Sequence, residues 1–227
     1  MVEADLTSKV ISPSSMAHIV LRTGRFKSMI EFYKSLLGAH VVAETTVMAF
    51  LTYDNEHHRI AIRAVPGCGD MVRASAGLDH IAFTFDSLND LAAAYLQRKA
   101  RGILPVWSVN HGPTTSIYYQ DPDGNVIETQ VDNFDTVEEA TEYMMGPELA
   151  ENPFGVDFDP EDLIKRLNSG EPEADIKKRP NIGPRGIEDV PLLHLPPPLV
   201  KDNYEPIEGL SNATPTMQKF QASSVAV

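Results

Sequence analysis

Two histidines and one glutamate have the types and the placement needed to bind a divalent metal ion. His18 begins the apolar run His-Ile-Val-Leu and His80 begins the similar run His-Ile-Ala-Phe, so the two imidazoles hold equivalent positions. Glu128 follows in Gly-Asn-Val-Ile-Glu, where strand alternation places it on one face with Val126 and Gln130. A carboxylate among apolar neighbours is costly to bury unless a positive charge neutralises it. The pattern therefore predicts a metal site of His18, His80 and Glu128.

The predicted ligand set leaves coordination positions open on one side of the ion. Non-haem Fe(II) enzymes that react with oxygen use two histidines and one carboxylate in this way. Fe(II) is therefore the predicted metal, and Mn(II) is the alternative because it suits similar ligands. The open positions would hold the reactants, which favours an enzyme.

An internal repeat supplies the elements that would position these ligands. In each half, a histidine-bearing strand is followed by apolar residues at helical spacing, Phe26–Leu37 in the first half and Leu88–Lys99 in the second. Three strand-like runs follow each helix, at 39–43, 47–53 and 59–65 and then at 103–109, 115–120 and 126–131. The Asp-Pro-Asp-Gly-Asn turn at 121–125 separates the last two runs. We predict an α+β fold of two tandem βαβββ modules, 16–66 and 78–133, forming a curved mixed-sheet cup.

The chain changes character after this predicted domain of residues 16–133. Residues 137–145 and 160–167 have short helical patterns, and the second pattern starts at an Asp-Pro pair that suits a helix N-terminus. Further along, the chain is rich in proline, with three consecutive prolines at 196–198. Residues 134–227 are therefore predicted to form an acidic C-terminal extension of short helices and an extended arm. The arm would pack on the body or on a neighbouring subunit, or be partly disordered.

Composition limits the partners. The sequence has 32 acidic and 19 basic residues, a net charge of −13, which argues against nucleic acid because phosphate binding needs clustered Lys and Arg. It contains no apolar run long enough to span a membrane, and its start lacks the features of a secretory signal. Its single cysteine, Cys68, cannot form an internal disulfide. The expectation is a cytoplasmic protein that binds a small molecule and forms a homodimer or larger homo-oligomer, since its strand edges are exposed.

Three motifs resemble the vicinal oxygen chelate superfamily. They are His18-Ile-Val-Leu, Leu78-Asp-His80-Ile-Ala-Phe and Asp121-Pro-Asp-Gly-Asn-Val-Ile-Glu128. That superfamily includes glyoxalase I, bleomycin-resistance proteins and type I extradiol dioxygenases, and the sequence is most similar to small single-domain dioxygenases of that type. The resemblance implies an Fe(II)-dependent enzyme that cleaves a catechol-type aromatic diol with O2.

The resemblance also implies three catalytic residues. Tyr118, before the turn, matches the family's active-site tyrosine, and Tyr119 is the competing residue. His58, the second histidine of Glu-His-His-Arg-Ile-Ala-Ile, matches the residue that moves a proton to and from the substrate, a role that suits a pKa near neutrality. His111 resembles a histidine that hydrogen-bonds the substrate, although it stands closer to the tyrosine than is usual in the family. By position, the expected apolar contacts of the ring are Phe50, Trp107 and Ile117.

Two alternatives stay open. A metal-dependent isomerase or lyase of the glyoxalase type would use the same ligands without O2. Glyoxalase I-type lyases generally have a second carboxylate near the end of the first module, and the corresponding stretch, 60–66, contains no acid. A metal-free protein that sequesters a flat small molecule would need none of the three ligands. The three-ligand set therefore favours the oxygenase.

Overall fold

The computed structural model describes residue 7 and residues 9–195, and the predicted α+β fold is confirmed. Within that part of the chain the strands and α-helices are β1 (Ile19–Thr23), α1 (Phe26–Leu37), β2 (His40–Glu44), β3 (Met48–Thr52), β4 (Ile60–Ala64), β5 (His80–Thr84), α2 (Leu88–Lys99), β6 (Trp107–Asn110), β7 (Thr114–Gln120), β8 (Val126–Asp132), α3 (Val137–Met144), α4 (Pro147–Glu151), β9 (Val156–Asp157), α5 (Pro160–Asn168) and α6 (Glu173–Ile176). Both halves of the repeat have the predicted order of strand, helix and three strands.

Each half of the repeat forms its own mixed sheet. The first sheet has the order β1-β4-β3-β2, in which β1 runs parallel to β4 and the other neighbours are antiparallel. The second has the order β5-β8-β7-β6-β9, in which β5 runs parallel to β8. The two-residue strand β9 comes from the C-terminal extension and pairs with β6, so the extension is part of the second sheet.

The two long helices begin and end where the sequence predicts. Helix α1 stops at Gly38, whose φ of 65° is left-handed and favours glycine. Helix α2 starts at Ser87, whose side chain accepts a hydrogen bond from the backbone N–H of Asp90. Both helices pack their apolar faces into one main core that contains residues of both halves. In the described ranges, no helix is long and apolar enough to cross a membrane.

A buried arginine joins the two halves inside the main core. The side chain of Arg98 is 1% exposed; its Nε donates to the carbonyl of Leu36 (2.7 Å) and its Nη1 to Thr129 Oγ1 (3.1 Å). Its guanidinium lies 4.9 Å from the centre of the Tyr119 ring. No acidic side chain of residues 9–195 forms an ion pair with it, and burial lowers its pKa. Arg98 therefore ties the end of α1 to β8, the strand that carries Glu128.

The C-terminal extension packs on the second half of the repeat. Helices α5 and α6 each contribute a buried apolar side chain to the main core. Further along, Val190 and Leu192 belong to a second apolar cluster that also contains Trp107 and Tyr118. The arm therefore packs on the body as far as residue 195. The three prolines at 196–198, which belong to the predicted extended arm, lie outside the described residues.

Candidate active site

Strand pairing places the predicted tyrosine beside the predicted carboxylate. Tyr118 on β7 is the direct partner of Glu128 on β8, and Ala82 on β5 is the partner of Glu128 on its other side. Their chain neighbours Ile117 and Ile127 are buried in the main core with the helices. Because side chains alternate along a strand, Tyr118 and Glu128 lie on the opposite face of the sheet. The expectation that Ile117 contacts the substrate ring is therefore wrong, since that side chain lies in the core.

His80 and Glu128 lie within ion-pair distance of each other. His80 Nε2 lies 3.1 Å from Glu128 Oε2, and His80 Nδ1 lies 2.6 Å from Asp79 Oδ2. The hydrogen bond with Glu128 raises the pKa of His80 to about 9, against the opposing effect of burial. Glu128 is 5% exposed; burial raises its pKa, but hydrogen bonds from His80 and Ser116 outweigh this effect and hold the pKa below its ordinary value. A positive charge on the imidazole thus neutralises the buried carboxylate.

Tyr118 and His111 form a hydrogen-bonded pair beside Glu128. The hydroxyl of Tyr118, the cross-strand partner of Glu128, lies 2.8 Å from His111 Nε2. Burial raises the pKa of Tyr118 far above its ordinary value, so the hydroxyl keeps its proton. Burial also lowers the pKa of His111. The structure therefore brings together His80, Glu128, Tyr118 and His111.

The neighbouring tyrosine faces the other way. Tyr119 is fully buried in the main core, where the guanidinium of Arg98 lies against its ring. Tyr118 is instead on the face that carries Glu128, so Tyr118 is the tyrosine that can contact a molecule bound beside that carboxylate.

Trp107 packs directly on the hydrogen-bonded tyrosine. It is the partner of Tyr118 on the adjacent strand β6, and the two rings stack 5.0 Å apart with their planes at 25°. Its edge lies against His111 at 5.4 Å, and its indole N–H donates to Asp157 Oδ1 at 2.7 Å. Arg185 forms an ion pair with the same aspartate. Asp157 and Arg185 were not predicted, because they lie in the extension, outside the repeat and its motifs.

His18 and His58 form a separate group at the first sheet. Their rings lie 4.3 Å apart, Phe50 contacts His58 edge-on at 5.1 Å, and His57 Nδ1 lies 2.6 Å from His58 Nδ1. Burial lowers the pKa of His58, and the neighbouring histidines add to this effect, so its neutral imidazole can accept a proton. Within residues 9–195, no hydrogen bond, ion pair or ring contact joins this group to His80. No three His, Cys, Asp or Glu side chains of the described residues form a group that could hold a metal ion.

The strand registers of the two halves show where a fourth ligand would stand. In the second half, Ala82, two residues after the histidine, pairs with Glu128. In the first half, the equivalent residue Val20 pairs with Ala61. An alanine therefore occupies the position in the first half that the glutamate occupies in the second, and the repeat supplies one carboxylate rather than two.

The chemistry of the donors in the second half fits a divalent metal ion. Imidazole and carboxylate are both donors for such ions, and a metal-binding histidine usually has its other ring nitrogen bonded to a carboxylate or a carbonyl. Asp79 provides that carboxylate for His80. A cation in place of the His80 proton would neutralise the buried Glu128 in the same way. His80 and Glu128 therefore have the surroundings that metal ligands need.

Comparison with known proteins points to one family. A family model described as "Glyoxalase/Bleomycin resistance protein/Dioxygenase superfamily" matches residues 15–129. The chain is 48% identical over 157 residues to "Biphenyl-2,3-diol 1,2-dioxygenase 2" of Rhodococcus globerulus, covering 69% of this chain and 83% of that protein. It is 47% identical over 166 residues to "Biphenyl-2,3-diol 1,2-dioxygenase 3" of the same organism, covering 72% and 87%.

Among solved structures, a glyoxylase/bleomycin resistance protein/dioxygenase domain from Frankia sp. EAN1pec is similar to this chain. The match has 18% sequence identity and a TM-score of 0.48, and it covers 55% of this chain and 96% of that one.

Proposed function

We propose that this chain is an extradiol ring-cleaving dioxygenase acting on a catechol-type aromatic diol with O2. The chain belongs to the Glyoxalase/Bleomycin resistance protein/Dioxygenase superfamily, which is the basis of the proposal. The observation that carries the proposal is the 48% identity to a biphenyl-2,3-diol dioxygenase over 83% of that protein. The site adds chemical support, since a buried carboxylate, an imidazole and a protonated tyrosine are neighbours on one face of the second sheet.

The proposal includes one divalent metal ion, Fe(II) or alternatively Mn(II), with His18, His80 and Glu128 as its ligands. When bound, such an ion would lower the pKa of the diol hydroxyls and bring the diol and O2 together. The donor types and the bond between Asp79 and His80 support His80 and Glu128 as ligands. His18 is included because it begins the first half of the repeat as His80 begins the second.

The other predicted residues have proposed roles that are compatible with the directions of their pKa shifts. His58, whose pKa is lowered, is the base that accepts a proton from the diol. Tyr118 keeps its proton and can donate a hydrogen bond to a substrate oxygen, while His111 holds the hydroxyl of Tyr118 in place. Phe50 and Trp107 are the aromatic side chains beside these two groups and would pack against the ring.

Oxygen consumption tests the proposed reaction. Protein loaded with Fe(II) under anaerobic conditions is mixed with a panel of catechols that includes biphenyl-2,3-diol, and uptake is followed with an oxygen electrode. We expect O2 and diol to disappear in equal amounts and both atoms of labelled O2 to enter the ring-opened product. Absence of uptake across the panel, with metal bound, would contradict the proposal. Metal analysis of protein purified without chelator then distinguishes iron from manganese.

The proposal also covers assembly and location. Strand β2 is an edge of the first sheet with its outer side chains exposed, Val42 being 51% exposed, and an exposed edge can pair with another chain. We therefore include a homodimer or larger homo-oligomer in the proposal, and light scattering after gel filtration would measure its size. A cytoplasmic location is also part of the proposal. A monomer at every concentration would contradict the assembly without affecting the proposed reaction.

A further inference from the structure

An arginine of the C-terminal extension is buried close to the candidate active site. The Arg185 side chain is 9% exposed, and its two terminal nitrogens contact the two carboxylate oxygens of Asp157 at 2.6 and 2.9 Å. The same nitrogens donate to the carbonyls of Gly155 and Asp189 at 3.2 and 2.8 Å. A two-point contact between a guanidinium and a carboxylate fixes the orientation of both groups. Asp157 is therefore held in one position on β9.

Asp157 in turn fixes the tryptophan ring. Its Oδ1 accepts hydrogen bonds from both Arg185 Nη1 and Trp107 Nε1, the latter at 2.7 Å. An indole has a single N–H, so the Trp107 ring cannot rotate without losing this bond. The guanidinium of Arg185 also lies 5.8 Å from the centre of the Trp107 ring, within the range of a favourable contact.

The Trp107 ring contacts the two polar side chains of the site, those of Tyr118 and His111. Its face stacks on Tyr118 and its edge lies against His111, and these two residues share the 2.8 Å hydrogen bond. Val190 and Leu192, a few residues after Arg185, pack in the same apolar cluster as Trp107 and Tyr118. The extension thus restrains Trp107 through both polar and apolar contacts.

We infer that Arg185 is a positioning residue, which acts through Asp157 and Trp107 to hold Tyr118 and His111 for the reaction. The C-terminal extension is then part of the active site. The inference rests on the proposed function of this site, and neither Arg185 nor Asp157 belongs to the two modules that carry the predicted metal ligands. A small displacement of a group that must contact the reacting substrate lowers the rate strongly, even when the substrate still binds.

Fluorescence of the full-length, metal-free protein gives a first test that does not depend on activity. Trp107 is the only tryptophan of the sequence, so its emission reports on this position alone. Replacing Arg185 by Ala is expected to shift the emission to longer wavelength and to increase quenching by acrylamide, because the ring gains freedom and water. Arg166→Ala is the matched control, since Arg166 also pairs with a carboxylate of the extension, Glu171, and has no contact with Trp107. Its emission should equal that of the wild type.

Steady-state kinetics of the Fe(II)-loaded protein give the second test. For Arg185→Ala we expect kcat to fall by about tenfold or more, with KM changed by less than about threefold, because the loss concerns orientation rather than binding. Arg185→Lys keeps the charge but cannot form the two-point contact, so it should restore kcat only in part. Arg166→Ala should leave kcat unchanged.

A double-mutant cycle tests whether Arg185 acts through the tryptophan. Trp107→Phe keeps an aromatic ring but has no N–H for Asp157, so adding Arg185→Ala to it should lower kcat by less than about twofold further. Losses that multiply in the double mutant, or an unchanged Trp107 emission in Arg185→Ala, would overturn the inference.

Two further cases need their own readout: an Arg185→Ala variant that does not fold, and a wild-type protein that consumes no O2. If Arg185→Ala does not fold, as judged by thermal unfolding, Asp157→Asn removes the ion pair but leaves an oxygen for the indole N–H. That variant should show a smaller shift of the same sign, and an unchanged emission would again overturn the inference. If the wild type consumed no O2, the proposed function would fail, whereas a changed emission in Arg185→Ala would still support Arg185 as the residue that positions Trp107.

Discussion

Tyr118 on β7 and Glu128 on β8 are direct cross-strand partners on two adjacent interior strands of the second sheet. A group proposed to contact the substrate thereby lies beside a group proposed to bind the metal. Because the two residues are immediate neighbours, changing either one affects the other, and each needs a variant that alters one atom or charge only.

Removing the charge of Glu128 should weaken metal binding. Glu128→Gln keeps the shape of the side chain but cannot neutralise a cation, and we expect metal affinity to fall by about a hundredfold or more. The measurement is metal content after dialysis against a weak competing chelator. Glu142→Gln, on the exposed helix α3, is the control and should retain the wild-type content. Equal metal content in the two variants would argue against Glu128 as a ligand.

Removing the hydroxyl of Tyr118 should slow the reaction without loss of metal. Tyr118→Phe keeps the ring that stacks on Trp107 but lacks the O–H, and we expect kcat to fall by about ten- to a hundredfold. Tyr119→Phe removes a hydroxyl on the other face of the same strand and should leave kcat close to the wild-type value. Steady-state rates of both variants, each with its metal content measured, check this prediction. A similar loss in both would mean that the strand itself is disturbed.

Asp121 should make the protein less stable as the pH rises from about 4 to 6. Burial raises the pKa of Asp121 from 3.8 to about 6, although hydrogen bonds from Asn125 and Tyr33 oppose this shift. The folded state therefore holds this proton over a range in which the unfolded state has lost it. The stability that the proton confers is complete below pH 3.8 and is lost as the pH passes 6, a difference of up to about 3 kcal/mol.

Urea unfolding at several pH values measures this effect. The free energy of unfolding of Asp121→Asn should fall less over this range than that of the wild type, because the variant has no proton to lose at this position. Asp132→Asn, at the exposed end of β8, is the control and should follow the wild-type curve. Parallel curves for the wild type and Asp121→Asn would contradict the prediction.

Shortening Arg98 should destabilise the whole domain. Arg98→Ala leaves the carbonyl of Leu36 and the hydroxyl of Thr129 without this donor and opens a cavity, so the free energy of unfolding should fall by about 3 kcal/mol. Arg98→Met fills most of that space and removes a buried charge, and should cost less. Arg101→Ala, an exposed position, should change stability by less than about 0.5 kcal/mol. Urea unfolding of the three variants measures these changes in the free energy of unfolding. Equal losses for Arg98→Ala and Arg98→Met would show that packing contributes nothing at this site.

Local patterns in the sequence predicted the elements and the face of the sheet that carries the site. Helical spacing gave the bounds of α1 and α2, and alternation along β8 placed Glu128 on the face opposite Ile127. The same alternation along β7 puts Tyr118 on one face and Ile117 on the other, so the ring contact expected of Ile117 from its position alone conflicted with this pattern. Strand β6 begins at Trp107, whereas the predicted strand-like run began at residue 103. In the sequence, an apolar residue that precedes a paired strand cannot be distinguished from an apolar residue of the strand itself.

Contacts that depend on distant parts of the chain could not be predicted in this way. The bond from Trp107 to Asp157 spans 50 residues, and no periodicity or motif relates the two positions. The two-residue strand β9 is too short to show alternation. For His18, the repeat predicts a position equivalent to that of His80, but the pattern of one strand does not fix its distance from another strand.

The alanine at position 61 separates the number of carboxylates from the architecture of the repeat. Both halves have the same strand pairing at this point, Val20 with Ala61 and Ala82 with Glu128, but only one of the two pairs contains an acid. The number of acidic donors is thus encoded at a single strand residue, independently of topology. A carboxylate introduced at this one residue would add a donor without changing the strand order or the register of either sheet.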